Sequence, residues 1–373
     1  MRKIELSYTH TAGAHPDSAQ GPLLRNPMQD LLQALHASGS ISGAARALGL
    51  SYRHVWGQLK AWEGPLGQPL VFWERGQAAR LTPFGERLLL AERMAQARLA
   101  PQLEQLQTTL ARAYEQAIDE DATLGNHLTL CASHDLALGV FQQHCSQPVR
   151  GRSPAPPLHL DIRYCGSTDA IRSLSEGRCD VAGFHTQSFA TAGSLSARSH
   201  RPLLKPGLHK LIGFAQRVQG LLVAPGNPLG LRTVADLAQK RARFVNRGIG
   251  TGTRLLFDEL LAQAGVQPQA IDGHSRVEPT HAAVALSVAC GTADAGLGTE
   301  YAASAHGLDF VPLTEERYVL ACLKSTLERT PAQYLVRRLR SRAWQEQLNA
   351  LPGYAADHCG DITAMKRLLP WWG

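Results

Sequence analysis

The hydrophobic pattern divides the chain into two parts. Up to about residue 118, apolar positions recur three and four residues apart, which predicts amphipathic helices. From residue 127 onward, short apolar runs alternate with helical stretches, which predicts a parallel sheet with helices on both faces. The second part, residues 126–373, is long for one such sheet, so we expect two lobes with a cleft between them. The predicted fold class is therefore α/β behind a helical N-terminal module.

Two short helices joined by a glycine turn are predicted between Gly39 and Trp62. Ser40 can cap the first helix, Gly49 supplies the positive φ of the turn, and Ser51 can cap the second. The apolar positions are Ala44, Ala45 and Leu48 in the first helix and Val55, Leu59 and Trp62 in the second. This arrangement leaves the polar face of the second helix free to enter a major groove of DNA.

The flanking segments complete a winged helix-turn-helix over residues 26–82. Asn26 and Pro27 predict the start of a supporting helix. Leu70–Trp73 and Ala79–Leu81 predict two short strands joined by a wing at Glu74–Gln77. The candidate DNA contacts are Ser40, Ser42, Ser51, Tyr52, Arg53, His54, Gln58, Lys60, Arg75 and Arg80.

A long linker helix is predicted over residues 83–121, starting at Thr82-Pro83, and Pro101 is expected to kink or break it. Its apolar seam indicates a homodimer or tetramer, because paired DNA half-sites need paired readers; the alternative is that the seam packs on its own domain. The seam consists of Leu88, Ala91, Ala95, Leu99, Leu103, Leu106 and Leu110. The acidic stretch Asp119–Asp121 and Gly125 predict a hinge, and residues 1–25 a flexible tail.

Several strand ends of the second part carry small, hydroxylated or charged residues, which suits an anion site. The predicted strands are Leu128–Ala132, Leu158–Tyr164, Val181–Phe184, Gly220–Ala224, Arg243–Asn246 and Ala293–Leu297. Free backbone N–H groups, hydroxyls and helix N-termini at such ends converge on the ligand crevice of an open sheet. The candidate ligand contacts are Ser133, His134, Asp135, Ser167, Thr168, His185, Asn246, Arg247, Gly250, Thr251, Gly252, Thr253, Arg254 and His281. Each of these turns, taken singly, also fits a purely structural cap.

The sequence gives little support for a catalytic function. Ser133, His134 and Asp135 have the residue types of a catalytic triad, but adjacency in sequence does not produce triad geometry. The stretch from Gly248 to Arg254 is neither a phosphate-binding Walker loop nor a dinucleotide fingerprint. We therefore predict no catalytic residues, no metal site and no cofactor besides a small anionic effector.

Charge and cysteine usage refine this interpretation. Residues 1–125 hold 12 basic and 12 acidic side chains, so the net charge of +7 lies wholly in residues 126–373, the part expected to hold an anion. Seven cysteines without a C-x-x-C pair argue against a disulfide framework and a structural zinc site. Neither a signal sequence nor a membrane-length apolar run is recognisable, so we expect a cytoplasmic protein.

Gly39–Arg87 resembles the DNA-binding domain of two groups of bacterial regulators. GSISGAARALGLSYRHVW and LTPFGERL resemble the molybdate-responsive ModE-type regulators, and AARAL, WEGPLG and LTPFG resemble the LysR-type regulators. The resemblance implies DNA contacts on Ser51–Trp62 and on the wing around Arg75. The oxyanion domain of ModE-type proteins is not matched here, whereas the LysR layout of module, linker helix and two-lobed sensor is.

Residues 126–373 resemble the type 2 periplasmic-binding-protein fold. The motifs are SHDLAL, GSTDAIRSLSEGRCDVAGFHT, VNRGIGTGTRLLFDELL and HAAVALSVACGTADAGLG, and they are similar to the group that includes tungstate- and molybdate-binding proteins. The combined resemblance implies a DNA-binding transcriptional regulator that senses a small anion, with molybdate or tungstate first and a related metabolite second. The alternative functions are an enzyme acting on anionic small molecules while tethered to DNA, and a ligand-binding protein without regulatory output.

Overall fold

The computed structural model describes residues 26–73, 78–118, 126–148, 157–187 and 189–372. The chain forms two compact units, Met1–Ala100 and Pro101–Gly373. The expected tail at residues 1–25, the wing tip at Glu74–Gln77 and the hinge at Asp119–Gly125 lie outside the described residues. Among the helices that are described, none is both long and apolar enough to cross a membrane.

The first unit contains three helices and a two-stranded wing. Its elements are α1 (Pro27–Ser38), α2 (Ile41–Ala47), α3 (Tyr52–Leu66), β1 (Val71–Phe72), β2 (Arg80–Leu81) and the first part of α4 (Pro83–Ile118). Asn26, Ser40 and Ser51 accept hydrogen bonds from the first turns of α1, α2 and α3, so each predicted cap is confirmed. Gly49 has φ = 67°, the left-handed conformation that the turn requires.

The small core of this unit follows the predicted apolar pattern. Leu31, Leu35, Ala44, Val55 and Leu59 are all buried, and they hold α1, α2 and α3 together. The sequence placed the end of α3 at Trp62, but the helix continues to Leu66 and ends against Gly67 in the left-handed conformation. The prediction ended the helix too early because Gly64 and Pro65 are usual helix breakers.

Helix α4 runs without interruption through Pro101, so the expected break does not occur there. A proline inside a helix removes only one backbone hydrogen bond, and a helix of 36 residues retains the remaining bonds. Along the predicted seam, Leu99 and Leu106 are 39% and 50% exposed. The helix thus presents apolar side chains to its surroundings.

The second unit alternates strands and helices. Its first half comprises β3 (His127–Ala132), α5 (Leu136–Ser146), β4 (His159–Tyr164), α6 (Ser167–Ser175), β5 (Val181–Gln187), α7 (Leu195–His200), β6 (His209–Val223), α8 (Val234–Gln239), β7 (Phe244–Arg247) and α9 (Gly252–Gln263). Its second half comprises β8 (Val277–Glu278), α10 (His281–Ala289), β9 (Ala295–Thr299), α11 (Glu300–Ala305), β10 (Asp309–Leu323), α12 (Thr330–Leu339), α13 (Arg342–Asn349), β11 (Tyr354–Ala355), β12 (Ile362–Thr363) and α14 (Met365–Leu368). Short 3₁₀ turns occupy residues 268–270, 325–328 and 370–372.

The strands join into one mixed sheet in the order β4-β3-β5-β10-β6-β9-β7-β8, and β11 and β12 pair with β6. The predicted parallel pairings are present at each end of the sheet. In the middle, however, β6 and β10 run antiparallel to each other and to their outer neighbours β9 and β5. The sequence located only the end of β6, at Gly220–Ala224, and missed β10, because polar residues interrupt both strands.

The two lobes have separate hydrophobic cores, as expected. The cores of the first lobe contain Phe141, Phe184 and Trp344, and those of the second contain Phe244 and Val284. The 15-residue strands β6 and β10 contribute to cores on both sides and therefore connect the lobes. Their pairing shifts register at Pro312/Thr314 and at Tyr318/Val319. We call the stretch between these shifts, Thr314–Tyr318 of β10 with Ala215–Gln219 of β6, the crossing segment.

Candidate functional site

The centre of the crossing segment holds a buried ion cluster around Arg217. Its guanidinium group donates to Glu316 Oε1 at 2.6 Å and also pairs with Asp135. The Tyr354 hydroxyl donates to Asp135 Oδ2 at 3.0 Å. Burial lowers the pKa of Arg217, but the charges of Glu316 and Asp135 outweigh burial and hold the pKa above its ordinary value. Arg217 is therefore a cation with two carboxylate partners, and it ties β6 to β10 and to the start of α5.

Arg247, at the end of β7, is a second buried cation with a different environment. Its Nη1 donates to the carbonyl oxygen of Glu278 at 3.3 Å, and its buried Nε has no hydrogen-bond partner. Within the described residues, no carboxylate forms an ion pair with it. Burial, followed by the charge of Arg217, lowers the pKa of Arg247 to about 9, although the charge of Asp135 opposes the shift. A buried, mostly charged guanidinium without a counter-ion favours an anion beside it.

Two buried histidines lie in the field of these arginines. Burial is the main reason that the pKa values of His185 and His281 lie well below the ordinary value, and the charges of Arg217 and Arg247 add to the effect. Both imidazoles are therefore neutral at pH 7. His185 stacks on Tyr318 at 4.1 Å between ring centroids, and neither of its ring nitrogens has a partner.

A glycine-rich loop of the second lobe closes over the first lobe. A Cβ atom on Gly166 would lie 2.6 Å from the carbonyl oxygen of Gly250. A Cβ on Gly252 would lie 3.1 Å from His185 Nδ1 and 3.2 Å from Ser167 Oγ. Gly250 itself has φ = 86°, which L side chains rarely adopt. The structure thus places the lobes in a closed arrangement that only glycine permits at these positions.

Most of the predicted ligand contacts lie around this closed cleft. The Ser133 and Ser167 hydroxyls are 3.1 Å apart. Thr253 Oγ1 is 3.4 Å from Gln219 Nε2 and 3.5 Å from His281 Nε2. The strand ends of the two lobes therefore meet at one place, as the topology predicted.

Other predicted contacts are engaged elsewhere. Arg254 pairs with Asp258 at 2.8 Å and lies 3.2 Å from His274. Asn246 Nδ2 donates to the His274 carbonyl, and Thr251 caps α9 through the Arg254 amide. Thr168 is half-buried in the first turn of α6.

The residue types of a catalytic triad are adjacent in sequence but not assembled in space. Asp135 accepts from Arg217 and Tyr354, while His134 Nε2 lies 3.4 Å from Glu104 Oε1. Ser133 contacts Ser167 rather than an imidazole. The nucleophile–base–orienter arrangement is thus not formed by these three residues.

Several polar residues of the cleft were not predicted from the sequence. They are Arg217 and Gln219 in β6, Glu316 and Tyr318 in β10, and Tyr354. The sequence did contain a signal for them: the apolar stretches LIGFAQRVQGLLV and TEERYVLACL each include charged residues. A buried strand seldom carries an arginine or a glutamate without a partner, so these residues indicate a buried polar site.

The candidate nucleic-acid interface is the outer face of α3. Ser42, Tyr52, Arg53, His54 and Arg80 are exposed, Gln58 is half-buried, and Ser40 and Ser51 are occupied as caps. Lys60 Nζ pairs with Glu63 at 2.7 Å and lies 4.9 Å from the centre of the Trp56 ring. Arg75 lies outside the described residues. A helix with this exposed polar face has the form that a major groove admits.

Comparison with known families assigns both units. Residues 30–86 match the bacterial regulatory helix-turn-helix protein, lysR family, and residues 151–340, just over half of the chain, match the PBP superfamily domain. YvgK of Bacillus subtilis (strain 168), an uncharacterized protein, is 28% identical over 256 residues, which cover 69% of this chain and 80% of YvgK.

Two further similarities are more limited. An uncharacterized protein from the region 5′ of a ferredoxin 2Fe-2S gene of Clostridium pasteurianum is 35% identical over 109 residues, covering 29% of this chain and 96% of that protein. A Corynebacterium glutamicum OxyR C206 mutant structure has a TM-score of 0.40 and 17% identity, covering 83% of this chain and 89% of that one. The assignment rests on the two family models: the chain belongs to the PBP superfamily and, with its lysR-family helix-turn-helix, is a LysR-like transcriptional regulator with a PBP-like ligand-binding domain.

Proposed function

We propose that this regulator senses a small anion bound between the lobes of its second unit and passes the signal to DNA through α3. The observation that carries the proposal is Arg247, a buried guanidinium group without a carboxylate partner among the described residues. Transferring an unpaired charge from water to a protein interior costs several kcal/mol, and a bound anion would offset that cost.

The surroundings of Arg247 support the same chemistry. Neutral His185 and His281 can each donate one N–H group. Helix α9 begins in the glycine loop at Gly250–Gly252, and the backbone N–H groups of a helix N-terminus favour an anion. Closure of the two lobes around the anion would exclude water and strengthen these interactions. Tetrahedral oxyanions such as molybdate and tungstate, and small organic acids, are the first candidates.

Switching requires that the anion bind one state of the lobes better than another. Glu104 of α4 contacts His134 at 3.4 Å, and His134 directly follows Ser133 of the cleft. We propose that this contact passes lobe closure to the linker helix. The exposed leucines of α4 would pair with a second copy, giving a cytoplasmic homodimer or tetramer that reads paired half-sites on DNA.

The test is thermal unfolding of the full-length protein with a panel of oxyanions and organic acids, in wild type, Arg247→Gln and Arg247→Lys. We expect the best anion to raise the unfolding midpoint of the wild type in a concentration-dependent way, and Arg247→Gln to weaken its binding by about tenfold or more. Arg254→Gln is the matched control, because Arg254 pairs with Asp258. Equal anion affinity of wild type and Arg247→Gln would show that the anion does not bind at Arg247.

A further inference from the structure

The closed cleft contains buried hydrogen-bond acceptors as well as donors, and the acceptors restrict the ligand further. Glu316 Oε1 accepts from Arg217 at 2.6 Å and from Gln219 Nε2 at 2.9 Å. Glu316 Oε2 is buried and has no partner. One oxygen of this carboxylate is therefore saturated, and the other lacks a donor.

Gln219 presents a second acceptor of the same kind. Its Nε2 must face Glu316, since a carboxylate only accepts, and this fixes the orientation of the amide. The remaining atom, Oε1, is buried without a partner. Gln219 lies two residues from Arg217 on β6, and its Nε2 also lies 3.4 Å from Thr253 Oγ1 at the start of α9.

Unsatisfied donors occur in the same cleft. Among the described residues, Arg247 Nε has no acceptor and His281 Nδ1 has no partner. His281 Nδ1 is a donor in the tautomer whose Nε2 accepts from Thr253 Oγ1, and Thr253 also links His281 to Gln219. Buried polar atoms are almost always hydrogen-bonded, because leaving one unpaired has a large free-energy cost. A group of unpaired donors beside unpaired acceptors therefore defines the hydrogen-bonding pattern of the molecule that completes it.

We infer that the ligand is an anion that carries its own hydrogen-bond donor: a partly protonated oxyanion of the phosphate type, or an organic acid with a hydroxyl or amino group. This inference rests on the proposed function, since it specifies the anion of the same cleft. The anionic part pairs with Arg247. A single O–H group donates to Glu316 Oε2 or to Gln219 Oε1, and an amino group has enough N–H bonds to donate to both. Sulfate, molybdate and tungstate are fully deprotonated at neutral pH and have nothing to donate. They would leave both acceptors unpaired beside added negative charge.

The experiment compares matched pairs of anions by calorimetric titration of the full-length protein at pH 7.5. Phosphate is paired with sulfate and with molybdate, and lactate is paired with propionate. We expect the donor-bearing member of at least one pair to bind tenfold or more tightly. The pair that shows the preference distinguishes an inorganic ligand from an organic one.

Glu316→Gln tests the role of the carboxylate directly. To keep accepting from Arg217 and Gln219, the new amide must place its oxygen at the position of Oε1 and its nitrogen at the position of Oε2. The acceptor then becomes a donor, and the preference should be lost or reversed in favour of the deprotonated anion. The control is Glu315→Gln, the exposed neighbour that accepts from Gln216 at 2.6 Å. If Glu316→Gln fails to fold, Gln219→Met removes the second acceptor and should reduce the preference.

Three results would be decisive. A donor-bearing anion that binds best, with a preference that Glu316→Gln abolishes, supports the inference. If sulfate, molybdate and propionate each bind as tightly as their donor-bearing partner, so that no pair shows the preference, the inference is overturned and the proposed anion sensor stays intact. If no anion in the wider thermal-unfolding panel binds at all, both the proposed function and this inference are contradicted.

Discussion

At the scale of single residues, the same side chain has different chemistry in different parts of this molecule. Arg217 and Arg247 are both buried, but among the described residues only Arg217 forms ion pairs with carboxylates. The pKa of Arg217 is consequently raised and that of Arg247 lowered. A list of arginines in the sequence could not have separated the structural cation from the candidate ligand-binding one.

Buried histidines provide a test at this scale. His200 lies between Phe184 and Trp371, neither ring nitrogen has a partner, and burial lowers its pKa to about 4. In the unfolded chain His200 takes up a proton near pH 6.5, whereas in the folded chain it does so only near pH 4. The folded state is therefore most stable, relative to the unfolded state, above pH 6.5, and this stability is lost as the pH falls toward 4. From pH 7.5 to pH 5, this residue should cost about 2 kcal/mol of stability.

His200→Phe should therefore reduce the loss of stability between these two pH values by about 2 kcal/mol. Chemical denaturation of wild type and variant at both pH values measures the difference. His185 and His281 share the direction of the shift, so the variant should retain part of the acid sensitivity. An unchanged pH dependence would show that His200 is not buried neutral in the folded protein.

At the scale of elements, the predicted caps correctly gave the starts of the first three helices, although α3 continues four residues beyond its predicted end. Local signals were sufficient there because Ser40, Gly49 and Ser51 act on the turns next to them. The long strands β6 and β10 were predicted poorly. Their polar residues are stabilised by distant partners, such as Arg217 and Glu316, which are 99 positions apart, and no local pattern contains such pairs.

Recognition by α3 is the prediction that belongs to this scale. Arg53→Ala should weaken DNA binding and reduce the dependence of the logarithm of affinity on the logarithm of salt concentration by about one if Arg53 contacts a phosphate. Lys60→Ala should have a smaller effect, because the Lys60 ammonium group is already paired with Glu63. Binding to promoter DNA at several salt concentrations measures both.

Arg232→Ala, which removes an exposed arginine of the second unit, is the control for non-specific charge effects. If Arg53→Ala and Lys60→Ala combined left affinity and salt dependence unchanged, α3 would not be the reading helix.

At the scale of the whole molecule, the question is how the cleft communicates with the linker helix. Within the second unit, Glu104 of α4 contacts His134, and the His134 ring makes an edge contact with the Tyr164 ring at 4.9 Å between centroids. Side-chain hydrogen bonds of α4 to this lobe include Gln142 Nε2 to Thr108 Oγ1 at 3.3 Å. A change at Ser133 can therefore reach the helix through directly adjacent groups.

Glu104→Gln should separate binding from response. We expect the variant to bind the best anion of the thermal panel within about threefold of wild type, while the anion's effect on DNA affinity falls about fivefold, corresponding to a loss of about 1 kcal/mol of coupling. DNA titrations with and without the anion give the coupling. Gln107→Ala, an exposed change on the same helix, should behave as wild type. Full coupling in Glu104→Gln would exclude this contact as the route.

The sequence by itself determined the winged helix-turn-helix, the long helix α4 and the α/β character of the second unit, because caps, glycine turns and apolar periodicity act over a few residues. It also located the strand ends that meet in the cleft. Only the tertiary structure decided which polar residues share that cleft. Burial and long-range pairing neutralise Arg217, leave Arg247 without a counter-ion and engage Arg254 elsewhere. These differences depend on which groups become neighbours when the two lobes close.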